Sequence, residues 1–243
     1  MDEYRNCVQV AKTKPGVRVD GVDAPIRCDR FGAALVQQAV GAKVHTMSDE
    51  GSYFVLKNAT TGTGIASTAA VTAYSATAPF LVVYNSSTTE RLYLDYLKLQ
   101  VTAAGTAGSA LWYDMVLDAG NRYSSGGTAC TKINPNMDST ATGSITSYAG
   151  AVTATSASAS VRKVAGGAIR LVIPVLGDQY LFVFGGSAHD GNGLALAGTA
   201  ITSFVSAAPP IVVGPLCSFL LHLWLPSQSA ASSYEYELGL WQR

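Results

Sequence analysis

The sequence predicts an all-β protein, an antiparallel β-sandwich with an extended N-terminal arm. Apolar and polar residues alternate in short runs from Tyr53 onward, turns rich in Gly, Ser and Pro separate the runs, and no long helical periodicity is present. About eight or more such strands favour a jelly roll, and other Greek-key sandwiches remain an alternative. The 243 residues suffice for a core without metals or disulfides.

The N-terminal part, residues 1–50, is predicted to be an arm or a loosely packed first layer, and residues 51–243 are predicted to form the sandwich. The arm offers few large apolar groups, so it gains little by folding onto its own domain. We expect its arginines to bind carboxylates of a neighbouring subunit or partner, and a solvated tail is the alternative. The candidate partner-interface residues are Arg18, Arg27 and Arg30.

The first predicted strands are residues 53–57, 80–84 and 91–101. In the third, apolar residues hold one face up to Tyr96 and then change parity at Leu97. Such a change indicates a β-bulge or a strand buried on both faces. Residues 111–118 alternate cleanly and predict a fourth strand, which ends at a turn over residues 118–121.

Residues 169–176 also alternate, and Pro174 predicts an edge or bulged position because it lacks an N–H. A turn at Gly177-Asp178 then leads into residues 180–184, which predicts a hairpin. Residues 201–205 and 211–213 are further strand candidates. The two long runs 217–225 and 234–241, separated by a polar loop, predict closing strands that hold the end of the domain in a sheet.

Residues 139–160 are low in complexity, uncharged and poor in large apolar groups. Two interpretations stay open for this segment. It is either a long surface loop or a β excursion that only a neighbouring copy would order.

Charge is scarce and balanced along the chain. Only 13% of residues are charged, about half the usual share, and 16 basic residues offset 16 acidic ones. A charge-poor surface favours association with copies or partners, and zero net charge argues against nucleic acid as the main ligand. The polar start of the chain predicts no signal peptide, and residues 211–225 are too interrupted to span a membrane.

Candidate chemistry is sparse. The four dispersed cysteines predict reduced thiols, neither a disulfide framework nor a zinc site, and hence assembly in a cytoplasm. His222 alternates within a hydrophobic strand and is interpreted as a packed, hydrogen-bonded histidine. Two same-face carboxylate pairs have spacing compatible with acid–base work, but a solvated strand face predicts the same pattern. We therefore expect no enzyme, no catalytic or metal residue and no cofactor. The pairs are Asp114 with Asp118, and Glu235 with Glu237.

The closing segment resembles the ends of structural proteins from tailed bacteriophages. The stretches that carry this resemblance read PPIVVGP, LHLWLPSQS and YELGLW, between residues 209 and 241. Together with the Ser/Thr/Ala/Gly-rich middle, they are similar to trimeric jelly-roll cement (decoration) proteins of phage heads. The specific part covers roughly the last 35 residues, and the rest is similar only in composition.

The resemblance implies a homotrimeric capsid cement protein on the outer surface of the virion head, which bridges capsomers of the major capsid protein. Neither nucleic acid nor membrane is an expected partner. A receptor- or glycan-binding module on a tail, fibre or spike is the second hypothesis, because tyrosines and polar loops could form a sugar site. An enzyme is the third.

Overall fold

The computed structural model describes residues 43–67, 71–185 and 203–243. Arg18, Arg27 and Arg30 lie outside the described residues, so their role stays a prediction. The described parts contain one short helix and fourteen strands. In chain order these are α1 (Lys43–Asp49), β1 (Tyr53–Lys57), β2 (Ile65–Ala66), β3 (Leu81–Asn85), β4 (Leu92–Ala103), β5 (Leu111–Ala119), β6 (Tyr123–Ala129), β7 (Thr131–Ile133), β8 (Ile145–Ala154), β9 (Arg162–Arg170), β10 (Gln179–Phe184), β11 (Ser203–Ala208), β12 (Val212–Val213), β13 (Cys217–Trp224) and β14 (Ser233–Gln242).

The strands form two sheets, so the all-β prediction is confirmed. The first sheet has the order β11-β10-β4-β14-β1-β7, with β12 beside β4 and β2 beside β14. The second has the order β6-β8-β3-β13-β5-β9. Neighbouring strands are antiparallel except β10 and β11, which pair in parallel.

One hydrophobic core lies between the two sheets. Alternation places every second residue of β14 in it, with Tyr234, Tyr236, Leu238 and Leu240 buried from the first sheet. Residues of the second sheet meet them from the opposite side, and ring pairs such as Phe184 with Phe219, 6.4 Å apart, cross the layers. The helix α1 packs beside β1, with Met47 buried and its carbonyl accepting a hydrogen bond from Ser52 Oγ at 3.1 Å.

The parity change in the third predicted strand is a β-bulge, which is one of the two alternatives that the sequence left open. Gly239 of β14 pairs with Tyr96, whereas Leu240 pairs with Leu94, so Asp95 is the extra residue on β4. The bulge restores the inward orientation of Leu97 and Leu99 after it.

The low-complexity segment corrects both interpretations made from the sequence. Residues 145–154 form β8, which pairs with β3 on one side and β6 on the other within the same chain. Small residues suit this strand because they allow close packing. A Cβ on Gly150 would lie 2.3 Å from Ile65 Cγ2, so the strand uses glycine where β2 approaches it.

The predicted strand at residues 169–176 is wrong beyond Arg170, where β9 ends. Pro174 is buried in an irregular segment that carries the chain from the second sheet to the first, and β10 pairs with β4 and β11. The predicted hairpin is therefore also wrong. The alternation does not continue past Arg170, since Leu171 is exposed and Pro174 is buried, because the chain changes sheets there.

The closing strands are confirmed, and each lies in the middle of a different sheet. β13 pairs with β3 and β5, whereas β14 pairs with β1 and β4. The strand candidates at residues 201–205 and 211–213 overlap β11 and β12, and residues 201 and 202 lie outside the described residues. Within the described ranges, no helix has the length and apolar character that a bilayer crossing needs.

Candidate functional site

The outer surface of strands β1, β14 and β4 carries charged, polar and aromatic side chains. Since β14 alternates, Glu235, Glu237 and Trp241 point away from the core while their neighbours are buried. The cross-strand partners of these residues lie on β4. They are Gln100 opposite Glu235, Lys98 opposite Glu237 and Tyr93 opposite Trp241. We call this surface the β14 face.

A cleft of about 250 Å³ occupies one end of the β14 face. Its lining mixes ammonium, carboxylate, amide and hydroxyl groups, and it lies beside the loop that follows β1. Glu237 lies between two lysines, because it pairs with Lys57 on β1 and with Lys98 on β4. The residues that line it include Lys57, Lys98, Gln100, Glu235 and Glu237.

Both carboxylates of the cleft are held in place by hydrogen bonds. The Gly62 N–H donates to the two oxygens of Glu235 at 3.3 Å each. The Tyr96 hydroxyl donates to Glu237 Oε1 at 2.5 Å. Partial burial and this bond to a carboxylate raise the pKa of Tyr96, so the hydroxyl stays a donor.

The loop that carries Gly62 is fixed by a buried asparagine. Asn58 Nδ2 donates to the Thr63 carbonyl at 3.0 Å, and its Oδ1 accepts from the Tyr236 N–H at 3.0 Å. These bonds connect the loop to β14 itself. The loop beside the cleft is therefore anchored to the same strand that supplies the carboxylates.

The other end of the β14 face is aromatic. Tyr93 and Trp241 stack with ring centroids 5.6 Å apart and planes 6° from parallel. Between them and the cleft, Tyr53 and Tyr96 lie over Gly239, where an added Cβ would be 2.2 Å from Tyr53 Oη and 2.4 Å from Tyr96 Cε1. Glycine is required there because two rings cover the backbone.

The outer face of the second sheet also carries aromatic and charged groups, but they bind one another. Lys163 Nζ lies 2.6 Å from Asp114 Oδ2 and 3.6 Å from the centre of the Tyr74 ring. Tyr74 in turn contacts the ring of His222 at 4.9 Å. Burial lowers the pKa of His222 to about 4, so it is a neutral packed residue at neutral pH.

A buried ion pair locks the same face. Arg122 bonds to Asp118, and its guanidinium also donates to the Thr155 carbonyl at 3.0 and 2.6 Å and to the Ala76 carbonyl at 2.9 Å. Asp118 further accepts from the Ser158 N–H at 3.0 Å. These bonds fasten the segments around residues 76 and 155–158 across the sheet, which is a structural task.

The structure thus separates the two carboxylate pairs predicted from the sequence. Asp114 and Asp118 share a strand, but each has its own cation, whereas Glu235 and Glu237 line one cleft with no cation bonded to either among the described residues. Sequence reasoning missed Lys57, Lys98 and Gln100 as parts of this cleft, and Tyr96 as the donor that holds Glu237. Their outward parity on β4 and β1 was readable, but the strand pairing that joins them was not.

Metal chemistry has no cluster to support it in the part of the chain described here, where no three His, Cys, Asp or Glu side chains group together. Cys130 and Cys217 are free thiols, and burial raises the pKa of Cys130, which favours the unreactive protonated form.

In comparisons with known proteins, no family model, curated protein or solved structure matches this chain.

Proposed function

We propose that this chain is a non-enzymatic jelly-roll structural protein, most specifically a homotrimeric cement protein on the outside of a bacteriophage head. The order of the strands is the observation that carries the proposal. The low charge of the chain and the resemblance of its closing segment to phage structural proteins support it from the sequence.

The jelly-roll assignment is supported by the order of eight strands, which are β1, β3, β4, β5, β9, β10, β13 and β14. When these eight are renumbered from 1 to 8 along the chain, their order is 1-8-3-6 in one sheet and 2-7-4-5 in the other. All pairings among these eight are antiparallel. This is the order that two wrapped Greek keys produce, and jelly rolls recur in viral capsid and lectin domains. The strands β6, β7 and β8 are then an insertion between the fourth and fifth strands.

Self-association is supported by an apolar surface on the segment between β9 and β10. Leu171, Val172 and Leu176 are 79%, 56% and 61% exposed. The segment is firmly held, because Asp178 bonds to Arg170 and accepts from the Val175 N–H at 2.7 Å and the Tyr180 hydroxyl at 3.1 Å. Aliphatic side chains presented by a fixed segment favour burial against another chain. We assign a second copy of this protein as the occupant.

Light scattering coupled to size exclusion tests the oligomer. We expect a trimer for the natural sequence and a shift toward monomer for the double substitution Leu171→Ser with Leu176→Ser. Met137→Ser is the matched control, since Met137 is 94% exposed on a different segment. A concentration-independent species of 25.2 kDa for the natural sequence would contradict the proposal.

The location and role are tested on particles. Heads assembled with the protein should survive heating or low salt better than heads without it, since added interface between capsomers resists internal pressure. A labelled protein should decorate the whole head in hundreds of copies. Equal survival of the two kinds of head, or label confined to the tail, would overturn the cement role. Turnover of a polysaccharide or ester that Glu235→Gln abolishes would overturn the non-enzymatic role.

A further inference from the structure

We propose that the outer edge of β11 accepts an additional strand, and that residues 6–12 of a neighbouring copy supply it. This pairing rests on the proposed function only in that the chain must self-associate. It depends neither on the number of copies nor on a place in a phage head.

Three of the four edge strands in the described part of the chain are built in ways that discourage pairing with another chain. β9 has two register shifts against β5 and carries Arg162 and Lys163. β6 has two register shifts against β8 and contains Gly126 and Gly127, both with positive φ. β7 is three residues long and includes Lys132. Bulges, short length and charge are the usual protection of a sheet edge.

The fourth edge strand, β11, has none of these protections. Its six residues pair with β10 in unbroken register and include no charged residue, proline or glycine. Ala208 is buried in the core, whereas Val205 and Ala207 are half-buried. A regular, uncharged edge is a template to which an extended segment can add as a further strand.

The direction of the backbone groups of β11 follows from one hydrogen bond. The Gly185 N–H donates to the Ala208 carbonyl at 2.9 Å, so the backbone polar groups of Ala208 face β10. Since these groups alternate along a strand, those of Val205 and Ala207 face away from β10. Among the described residues, neither of these two N–H groups has an acceptor. The Ala207 carbonyl accepts from Ser206 Oγ at 3.2 Å and keeps its second lone pair.

The part of the chain that precedes α1 contains a segment suited to this edge. Residues 6–12 read NCVQVAK, an alternating run about as long as β11, which would place Val8 and Val10 on one face of a strand. The roughly 30 residues between this run and α1 can span up to about 100 Å when extended. The arm is therefore long enough to reach another copy.

The start of the arm and the acceptor edge lie at opposite ends of the first sheet. The helix α1 packs beside β1, next to the edge strand β7, whereas β11 is the other edge. A head-to-tail arrangement brings the start of one arm toward the β11 edge of the next copy. Contacts of this kind close into rings, and a ring of three is one of them.

Amide hydrogen exchange of the full-length protein, read residue by residue by NMR, tests the pairing. The N–H groups of Val205 and Ala207 should exchange slowly in the natural protein. The double substitution Val8→Pro with Val10→Pro should make both exchange at least about tenfold faster. Val17→Pro with Val19→Pro is the matched control, because it places two prolines in another alternating run of the arm, and it should change neither rate.

A substitution on the acceptor side gives a second measurement. Ala207→Pro removes an outward N–H without removing a hydrogen bond to β10, so the domain should stay folded. Self-association measured by light scattering should weaken by at least about tenfold. Ala207→Ser keeps the N–H and should associate like the natural protein.

Mixing two variants shows whether the arm comes from another copy. An isotope-labelled Val8→Pro, Val10→Pro protein has an intact edge without a competent arm, and an unlabelled Ala207→Pro protein has the reverse. Mixing them should restore slow exchange at Val205 and Ala207 of the labelled copies. Absence of this restoration, or slow exchange in the labelled variant alone, would overturn the inference.

The two proposals fail in different ways. A trimer in which Val205 and Ala207 exchange freely would overturn the strand pairing and leave the proposed function standing. An oligomer of another size that needs the arm would contradict the trimer and support the pairing. A dimer whose β11 amides stay slow without the arm would show that two β11 edges pair with each other, which would overturn the pairing with residues 6–12.

Discussion

Replacing Arg122 with methionine should be among the most destabilising single substitutions in the second sheet. The guanidinium is buried and bonds to Asp118, whose side chain has no exposed surface, and to the carbonyls of Thr155 and Ala76. Methionine fills similar space but leaves a buried carboxylate without its cation. Removal of one partner of a buried ion pair costs about 3–5 kcal/mol, which lowers Tm by roughly 6–20 °C for a domain of this size.

Urea denaturation at pH 7 measures this loss, and the double substitution Arg122→Met with Asp118→Leu separates its causes. The double variant should be more stable than Arg122→Met alone, because no uncompensated charge remains. Burial alone would raise the pKa of Asp118, but hydrogen bonds from Ser158, Arg122 and Ala119 outweigh it and hold that pKa below its usual range. The stabilisation is therefore present at pH 7 and is lost only as pH falls through this lowered value. A loss below about 1 kcal/mol for Arg122→Met would refute the reasoning.

Three further outcomes are expected. His222 takes up a proton below pH 6.5 in the unfolded chain but only near pH 4 in the folded protein. The free energy of unfolding should therefore fall by about 3 kcal/mol as the pH is lowered from 6.5 to 4, and urea titrations should show a smaller fall for His222→Phe. Gly239→Ala should cost about 1–3 kcal/mol, seen as a lower Tm, since its Cβ would collide with Tyr53 and Tyr96; the same Tm as the natural protein would show that these rings move freely. Removal of residues 1–42, which stops before α1, should leave Tm similar but weaken trimer formation or particle binding at least tenfold, about 1.4 kcal/mol; aggregation of the shortened chain, or undiminished particle binding, would contradict a partner-binding arm.

Alternation predicted the fold well where large residues carried it. The strands of the closing segment and the bulge in β4 were readable because Leu, Tyr and Val mark the inward positions. β8 was missed because several of its buried residues are small, among them Ser147, Ala149 and Ala154, and burial of small residues leaves little hydrophobic signature.

The candidate site depended on pairing that a single sequence does not contain. Glu235 and Glu237 could be singled out as same-face carboxylates, but Lys57 and Lys98 are far from them along the chain. Only the register of β1 and β4 on β14 brings these charges together. Likewise, nothing in the neighbourhood of Arg122 indicates that it reaches Ala76 and Thr155.

The central positions of β13 and β14 have a consequence for synthesis on the ribosome. When translation has reached residue 203, β14, which lies between β1 and β4, has not yet been made. The same is true of β13, which lies between β3 and β5. Neither sheet can close until the segment from Cys217 to Gln242 arrives, so folding must wait for the last part of this sequence. Until then four strands have exposed edges, which favours pairing with other nascent chains. Premature termination within β13 should therefore give insoluble product, not a shortened domain.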